Sequence, residues 1–466
     1  MGLVYSTYLL GPGSLAFLAW TYSHRHAEKL SLWVFVYAHA EAIFFIYFLQ
    51  RLVRWQRPAQ WKPLPTREER RKLFAKVADT VKCPKKWAAS WHPGVPEDEI
   101  TTGDVDDLIY MMLNFYGNDP DAEGRREVAQ LRRDLFSKSD LGRLPDEPAK
   151  HEGKRMAFMR DTLVAWAPGL PMYALASILQ LAFSASYLGR GYRRHRGGGL
   201  VYWYKPGADG TSKPPMVFFP GVGVGSLMYD MLLRLVEERE PDRAVFVVQI
   251  PGVSMAASNW LPGHAHPPDH AQVAFAFEEM LRNHLCEGAL LVGHSYGSVY
   301  ASYALRQCRA LVKGLVLVEP AAMLCTDAKN TRSFLYSVGP DGWKSALSVL
   351  FRLEPFVSLT LRRHFDATHI ILHMQDFGDI PAAVLVSMGD TIMPSDAVLA
   401  HAAKHPRPHV IVEAFEGRPC EHGTWCHDMP MNKRVLRAIQ EVSKHAEAAK
   451  EKKLRTNARQ LRKVLK

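Results

Sequence analysis

Residues 290–298 read Leu290-Leu291-Val292-Gly293-His294-Ser295-Tyr296-Gly297-Ser298. An apolar run, 289–292, leads into them, and a helical pattern over 299–307 follows. A strand that turns sharply into a helix leaves no room for side chains two positions before and after the turning residue. Gly293 and Gly297 meet that need. The hydroxyl of Ser295 is then carried out over the edge of a sheet. The following helix aims the positive end of its dipole at negative charge developing there. A bare Gly-x-Ser-x-Gly is a weak signal; in this strand–turn–helix setting it is a strong one.

Working outward, short apolar runs alternate with helical patterns from about residue 200. The runs are 200–204, 216–219, 244–250, 289–292, 315–318, 383–388 and 409–412. Helical patterns fall at 227–238, 271–285, 299–307 and 395–403, with a last helix at about 432–446. This rhythm predicts an α/β fold with a mainly parallel sheet covered on both faces. The stretch 321–380 is too long for a simple connection and is expected to form a helical lid at the strand ends.

Within this frame the chain resembles the α/β-hydrolase superfamily, over roughly residues 200–440. Phe218-Phe219-Pro220-Gly221-Val222-Gly223 looks like the family's oxyanion loop, although the family commonly has His-Gly where Pro220-Gly221 stands. The resemblance implies two backbone N–H donors facing an oxyanion, worth ~3 kcal/mol each in comparable sites. Val222 and Tyr296 are the candidates, with Gly221, Gly223, Gly293 and Gly297 supporting the two turns. A serine needs a base, and the base needs an orienting carboxylate. In family order the acid follows the serine. Val384-Leu385-Val386-Ser387-Met388-Gly389-Asp390 ends a run with Gly-Asp, so Asp390 is preferred. Asp396 is read as a cap of the next helix, and Glu319 in Val318-Glu319-Pro320 as the less favoured acid. The base is expected after the last strand, where Glu421-His422-Gly423 makes His422 the choice over His427.

Cys420, His422, Cys426 and His427 also resemble a compressed zinc set, and Cys420 and Cys426 could form a disulfide in an oxidising lumen. Neither reading is adopted: no metal and no cofactor is expected. A dinucleotide loop is disfavoured because Ser226 stands where the last glycine of Gly-x-Gly-x-x-Gly belongs. Relatives that attack with aspartate are set aside because Ser295 occupies that place.

The N-terminal part has another character. The first 23 residues carry no Asp, Glu, Lys or Arg, and Gly11-Pro12-Gly13 interrupts their apolar run. A basic patch (His24, Arg25, His26, Lys29) precedes a second run, 30–50, whose only charge is Glu41. Both runs are read as long enough for a ~30 Å hydrocarbon core, so 1–57 is expected to be a membrane-anchor hairpin. Glu41 there needs a partner or a proton. Met1-Gly2 with Ser6 also fits a short myristoylation pattern. Residues 58–197 form a helical accessory region punctuated at Pro93-Gly94, at 117–120 and at Pro145. Its run 169–188 is expected to lie on the catalytic domain or dip into the membrane interface, and Gly197-Gly198-Gly199 is read as a hinge.

Composition bounds the rest. In 466 residues, 47% are hydrophobic and 23% charged, which excludes wholesale disorder. A mean hydropathy of −0.14 excludes a polytopic bundle. The net charge is +11, of which the segment 444–466 carries +7, so the body is no basic platform for nucleic acid. The expected domains are 1–57, 58–197, 198–447 and a basic tail, 448–466. The resemblance implies a Ser295–His422–Asp390 serine hydrolase, and the expected anchor and lid favour a lipid-like or other small-molecule ester as its substrate. Membrane is its other partner, at an endomembrane such as the endoplasmic reticulum. Acyl transfer by the same triad, and a silent hydrolase-fold scaffold, are the alternatives.

Overall fold

The computed structural model of the protein describes residues 6–24, 31–57, 65–113, 122–137, 144–157, 159–261, 267–336, 349–365, 367–417 and 420–464. The Met1-Gly2 pattern, the basic residues 25–29, the 117–120 turn and the centre of the 321–380 insertion lie outside these residues.

The N-terminal helices are α1 (Leu10–Ser23), α2 (Leu32–Trp55), α3 (Arg67–Thr80), α4 (Pro84–Ser90), α5 (Thr102–Met112), α6 (Ala122–Phe136) and α7 (Leu170–Gly189). Gly11-Pro12-Gly13 does not interrupt α1. It forms the first turn, where a proline's missing N–H has no helical partner to lose. The expectation that both N-terminal runs are long enough to span is corrected. At 14 residues α1 rises about 21 Å, short of a hydrocarbon core. Among the described residues α2 and α7 are long and apolar enough to cross one.

These helices do not hang free of the rest of the chain. Trp260, from the loop after the fourth strand, sits among the rings of Phe44, Phe48 and Trp55 of α2, Tyr173 of α7, and Phe356. Glu41 is fully buried and finds partners: its Oε1 accepts from Tyr37 Oη and from Leu170 N, both at 2.8 Å. The second bond satisfies an orphan donor at the start of α7, where a carboxylate is favoured by the helix dipole. Helix α3 opens on a Thr66/Glu69 capping box and reaches the other flank, where Lys404 and His405 pair with Asp79.

The sheet has eight strands: β1 (Arg193–Gly197), β2 (Leu200–Lys205), β3 (Met216–Phe219), β4 (Val245–Gln249), β5 (Ala289–His294), β6 (Val312–Val318), β7 (Ala382–Ser387) and β8 (Val410–Phe415). Their order is β1-β2-β4-β3-β5-β6-β7-β8. Only the β1–β2 and β2–β4 pairs are antiparallel. Between the strands and after them come α8 (Asp230–Arg239), α9 (His270–Asn283), α10 (Gly297–Gln307), α11 (Ala328–Thr331), α12 (Pro355–Arg363), α13 (Ala367–Ile370), α14 (Ser395–Lys404) and α15 (Met429–Val464).

Alternation along the strands divides the core. Val217, Phe219, Phe246, Val248 and Leu291 face Val273 and Phe277 of α9 and Val299 of α10. Met216, Phe218, Val245, Val247 and Leu290 face Leu232 and Val236 of α8 and Val435 and Ile439 of α15. Every residue of β3, β5 and β7 is buried, as a strand covered on both faces requires.

Three readings change. Gly197-Gly198-Gly199 is not a hinge but the turn of the β1–β2 hairpin; Gly198 and Gly199 adopt φ of 56° and 86°. The sheet therefore begins at Arg193. Helix α15 continues through the basic tail to Val464 rather than ending near 446.

Candidate functional site

The central parallel strands end on one side of the sheet, and each delivers one polar group there. Ser295 follows β5 directly and holds φ of +50°, a left-handed conformation rare for a side-chain-bearing residue. The turn is pinned by Ser295 N donating to Val318 O at 3.0 Å and Ser298 Oγ donating to Ser295 O at 2.6 Å. The flanking glycines are sterically required. A Cβ on Gly297 would lie 2.0 Å from Phe219 O, and one on Gly293 3.0 Å from Gly297 O.

After β7, Asp390 is buried in a tight turn. Its Oδ1 accepts from Ile392 N and Met393 N at 2.7 and 2.8 Å, which leaves Oδ2 pointing elsewhere. Asp396 is exposed in the first turn of α14; the cap position itself is Pro394, so the capping role read for Asp396 is corrected. After β8, His422 stands in a short loop. Its Nδ1 lies 2.7 Å from Asp390 Oδ2 and its Nε2 2.9 Å from Ser295 Oγ. The structure thus brings Ser295, His422 and Asp390 into one line of hydrogen bonds across 127 residues of chain. His427 is exposed and outside it. The six cysteines are free thiols, so Cys420 and Cys426 are not bonded.

Val222 and Tyr296 border the same pocket as Ser295. In the β3 loop, Gly221 N is committed to Tyr229 Oη at 2.8 Å and Gly223 N to Val253 O at 2.9 Å. The N–H of Val222 between them, and that of Tyr296, have no acceptor among the described residues. The rest of the pocket is nearly all apolar, with Phe334, Leu335, Leu361 and Phe365 contributed by the insertion between β6 and β7.

A second carboxylate lies underneath. Glu319 follows β6 with φ of +46° and is fully buried. Its Oε2 accepts from Gly423 N at 2.7 Å and His294 Nε2 at 3.0 Å, and its Oε1 accepts from Ser387 Oγ. Burial pushes the His294 imidazole below its ordinary pKa against the pull of Glu319, so the ring is neutral near pH 7. Burial also holds Tyr229 protonated. Tyr229 Oη therefore donates to His294 Nδ1 at 2.8 Å, and the remaining ring proton sits on Nε2, facing Glu319. One buried chain of hydrogen bonds ties the β3 loop, the serine turn, the β6 end and the histidine loop together. Sequence reading had ranked Glu319 only as a spare acid; the network was not visible because its partners are scattered from Gly221 to Gly423.

The electrostatics follow. Burial alone would lower His422, but Asp390 and then Glu319 outweigh it and carry its pKa up to about 9. Burial would raise Asp390; His422 and the two turn N–H groups hold it below the usual carboxylate range. A serine hydroxyl on a carboxylate-backed imidazole, beside two free N–H donors, can attack a carbonyl and have the resulting oxyanion held.

Residues 216–432 match the model of the alpha/beta hydrolase family. The fold of this region is accordingly that of the α/β-hydrolase superfamily, preceded in the chain by the N-terminal helices. Similar solved structures include naproxen esterase from Bacillus subtilis, at 13% identity over 56% of this chain and 97% of that one, with a TM-score of 0.38. Carboxylesterase CesB from Bacillus subtilis is similar at 12% identity over 57% and 98%, with a TM-score of 0.37. A thermophilic esterase from Thermogutta terrifontis is similar at 16% identity over 54% and 99%, with a TM-score of 0.38. No curated protein sequence matches the chain.

Proposed function

We propose that the protein is a membrane-associated serine esterase. The observation that carries this reading is the pair of hydrogen bonds from His422, 2.9 Å to Ser295 Oγ and 2.7 Å to Asp390 Oδ2. Ser295 Oγ attacks an acyl carbonyl while His422 Nε2 takes its proton. Asp390 fixes the imidazole orientation and offsets the imidazolium charge. The tetrahedral oxyanion is held by the N–H groups of Val222 and Tyr296. His422 then gives its proton to the departing alcohol. A water, deprotonated in turn by His422, releases the acid from Ser295.

The apolar pocket beside Ser295 supports an acyl chain as the group bound there. The outer face of α2 supports contact with a bilayer: Trp33, Ile43 and Val53 are more than 60% exposed. A lipid-like ester, drawn from the layer the helices contact, fits both features.

The test is covalent labelling with a fluorophosphonate probe, followed by hydrolysis of a series of acyl esters. Labelling confined to Ser295, with turnover lost in Ser295→Ala, is expected. Turnover that survives in Ser295→Ala would refute the assignment. For the membrane, full-length protein released by alkaline carbonate would count against α2 as an anchor.

A further inference from the structure

The pocket beside Ser295 contains one feature that a plain fatty-acyl ester leaves unexplained. Asn330 lines it, is only 8% exposed, and among the described residues neither its Nδ2 nor its Oδ1 has a hydrogen-bond partner. A buried amide with neither end paired is rare, because desolvation is not repaid by any bond. Asn330 is also held where it is. It lies on α11, whose N-terminus is capped by Asp327 Oδ1 accepting from Lys329 N at 2.8 Å. Lys329 Nζ in turn donates to Asp390 O at 3.1 Å, fastening α11 to the turn that carries the acid.

We infer that Asn330 is a specificity-determining residue and that the preferred ester bears a hydroxyl on the portion entering this pocket. This rests on the esterase reading above. The argument is one of complementarity. An amide presents a donor and an acceptor side by side. An alkyl chain satisfies neither, a ketone only the NH2, and a carboxylate repels the carbonyl oxygen. A hydroxyl accepts from Nδ2 and donates to Oδ1, using both. A buried polar group that a substrate leaves unpaired discriminates strongly against that substrate.

Two ester pairs test it. The first is p-nitrophenyl hexanoate against p-nitrophenyl hydroxyhexanoate, which puts the hydroxyl on the acyl side. The second is propyl hexanoate against glyceryl monohexanoate, which puts it on the alcohol side. The wild-type protein should favour the hydroxylated member of one pair by roughly tenfold or more in kcat/KM. Asn330→Leu should bring that ratio to about one, with thermal melting showing the variant folded. A wild-type ratio near one in both pairs overturns the inference, as does a preference that Asn330→Leu leaves intact. Fluorophosphonate labelling separates the two levels. If Ser295 is labelled and the ratios are flat, only the role of Asn330 falls. If Ser295 is unlabelled and no ester is turned over, the esterase reading falls and this inference with it.

Discussion

Glu319 Oε2 lies 3.6 Å from His422 Nδ1, the nitrogen that Asp390 Oδ2 already holds at 2.7 Å. Two carboxylates therefore face one imidazole, and both favour its charged form. With its pKa carried up to about 9, His422 is mostly charged at neutral pH, and only its neutral form takes a proton from Ser295. The base form grows as pH rises, so kcat/KM should climb through the alkaline range towards a plateau above about 9. Glu319→Gln removes one of the two anions and should move that limb to lower pH. A pH profile of ester hydrolysis for the two proteins checks both statements. An unmoved limb would mean that Glu319 acts only through packing.

Asp390 has a different task from Glu319, and its removal should look different. Its Oδ2 sets which ring nitrogen of His422 faces the serine, and its Oδ1 is spent on the turn. Asp390→Asn keeps the turn but presents the wrong hydrogen-bonding partner or tautomer. A fall in kcat of roughly 10⁴-fold is expected, with little change in melting temperature. Steady-state kinetics beside a thermal melt will tell; loss of fold without a fall in specific activity would contradict it.

Ser295 holds φ of +50°, and that strain is measurable. Ser295→Ala and Ser295→Gly both delete the hydroxyl, but only glycine occupies this region without penalty. Left-handed strain of about 1–2 kcal/mol, less about 0.5–1 kcal/mol for glycine's unfolded-state entropy, leaves the glycine variant ahead by about 0.75 kcal/mol at mid-range and at most about 1.5 kcal/mol. Chemical denaturation of the two inactive variants makes the comparison. Equal stabilities would mean the backbone relaxes once the hydroxyl is gone.

What could be read from the chain divides by physical cause. The serine turn was legible because it is a local pattern fixed by backbone geometry, and the Gly-Asp turn and the His-Gly loop because they resemble the family's acid and histidine segments in chain order. Five of the seven apolar strand runs, those of β3 to β7, were legible because both faces of their strands are buried. β1 was not: Arg193-Arg194-His195-Arg196-Gly197 carries the charge of an edge strand and shows no apolar alternation. Nor were the pairings of Glu319 or the unpaired amide of Asn330. Those depend on partners 25 to 104 residues away, or on an absence of partners among the described residues that only packing creates. Gly197-Gly198-Gly199 was misread because three glycines serve a hinge and a two-residue hairpin turn equally well in sequence.

Gly297 tests the local argument most directly. Its missing Cβ would stand 2.0 Å from Phe219 O and 2.9 Å from Pro220 O, both backbone atoms of the β3 loop. Backbone cannot swing aside as a flexible side chain can. Gly297→Ala should therefore push the serine turn and the oxyanion loop apart, costing about 2–3 kcal/mol or more and most of the turnover. Thermal melting and ester kinetics, read together, check it. A variant as stable and as active as the parent would show that the two loops are not in contact.

Trp260 decides whether the N-terminal helices are a tether or part of the catalytic body. Its ring meets Phe44 at 4.9 Å, Phe356 at 4.9 Å and Tyr173 at 5.8 Å between centroids, so one side chain joins α2, α7 and α12. Replacing it by alanine leaves a cavity among aromatic rings, with a cost of about 3–5 kcal/mol. That loss falls on the docking of α2 and α7, because the buried network around Glu319 uses no residue of either helix. Hydrogen exchange should rise in the C-terminal half of α2 and the first turns of α7, while fluorophosphonate labelling of Ser295 persists. If labelling disappears together with the protection of α2, the helices support the pocket itself. The N-terminal region then acts as a structural wall of the active site rather than as an anchor alone.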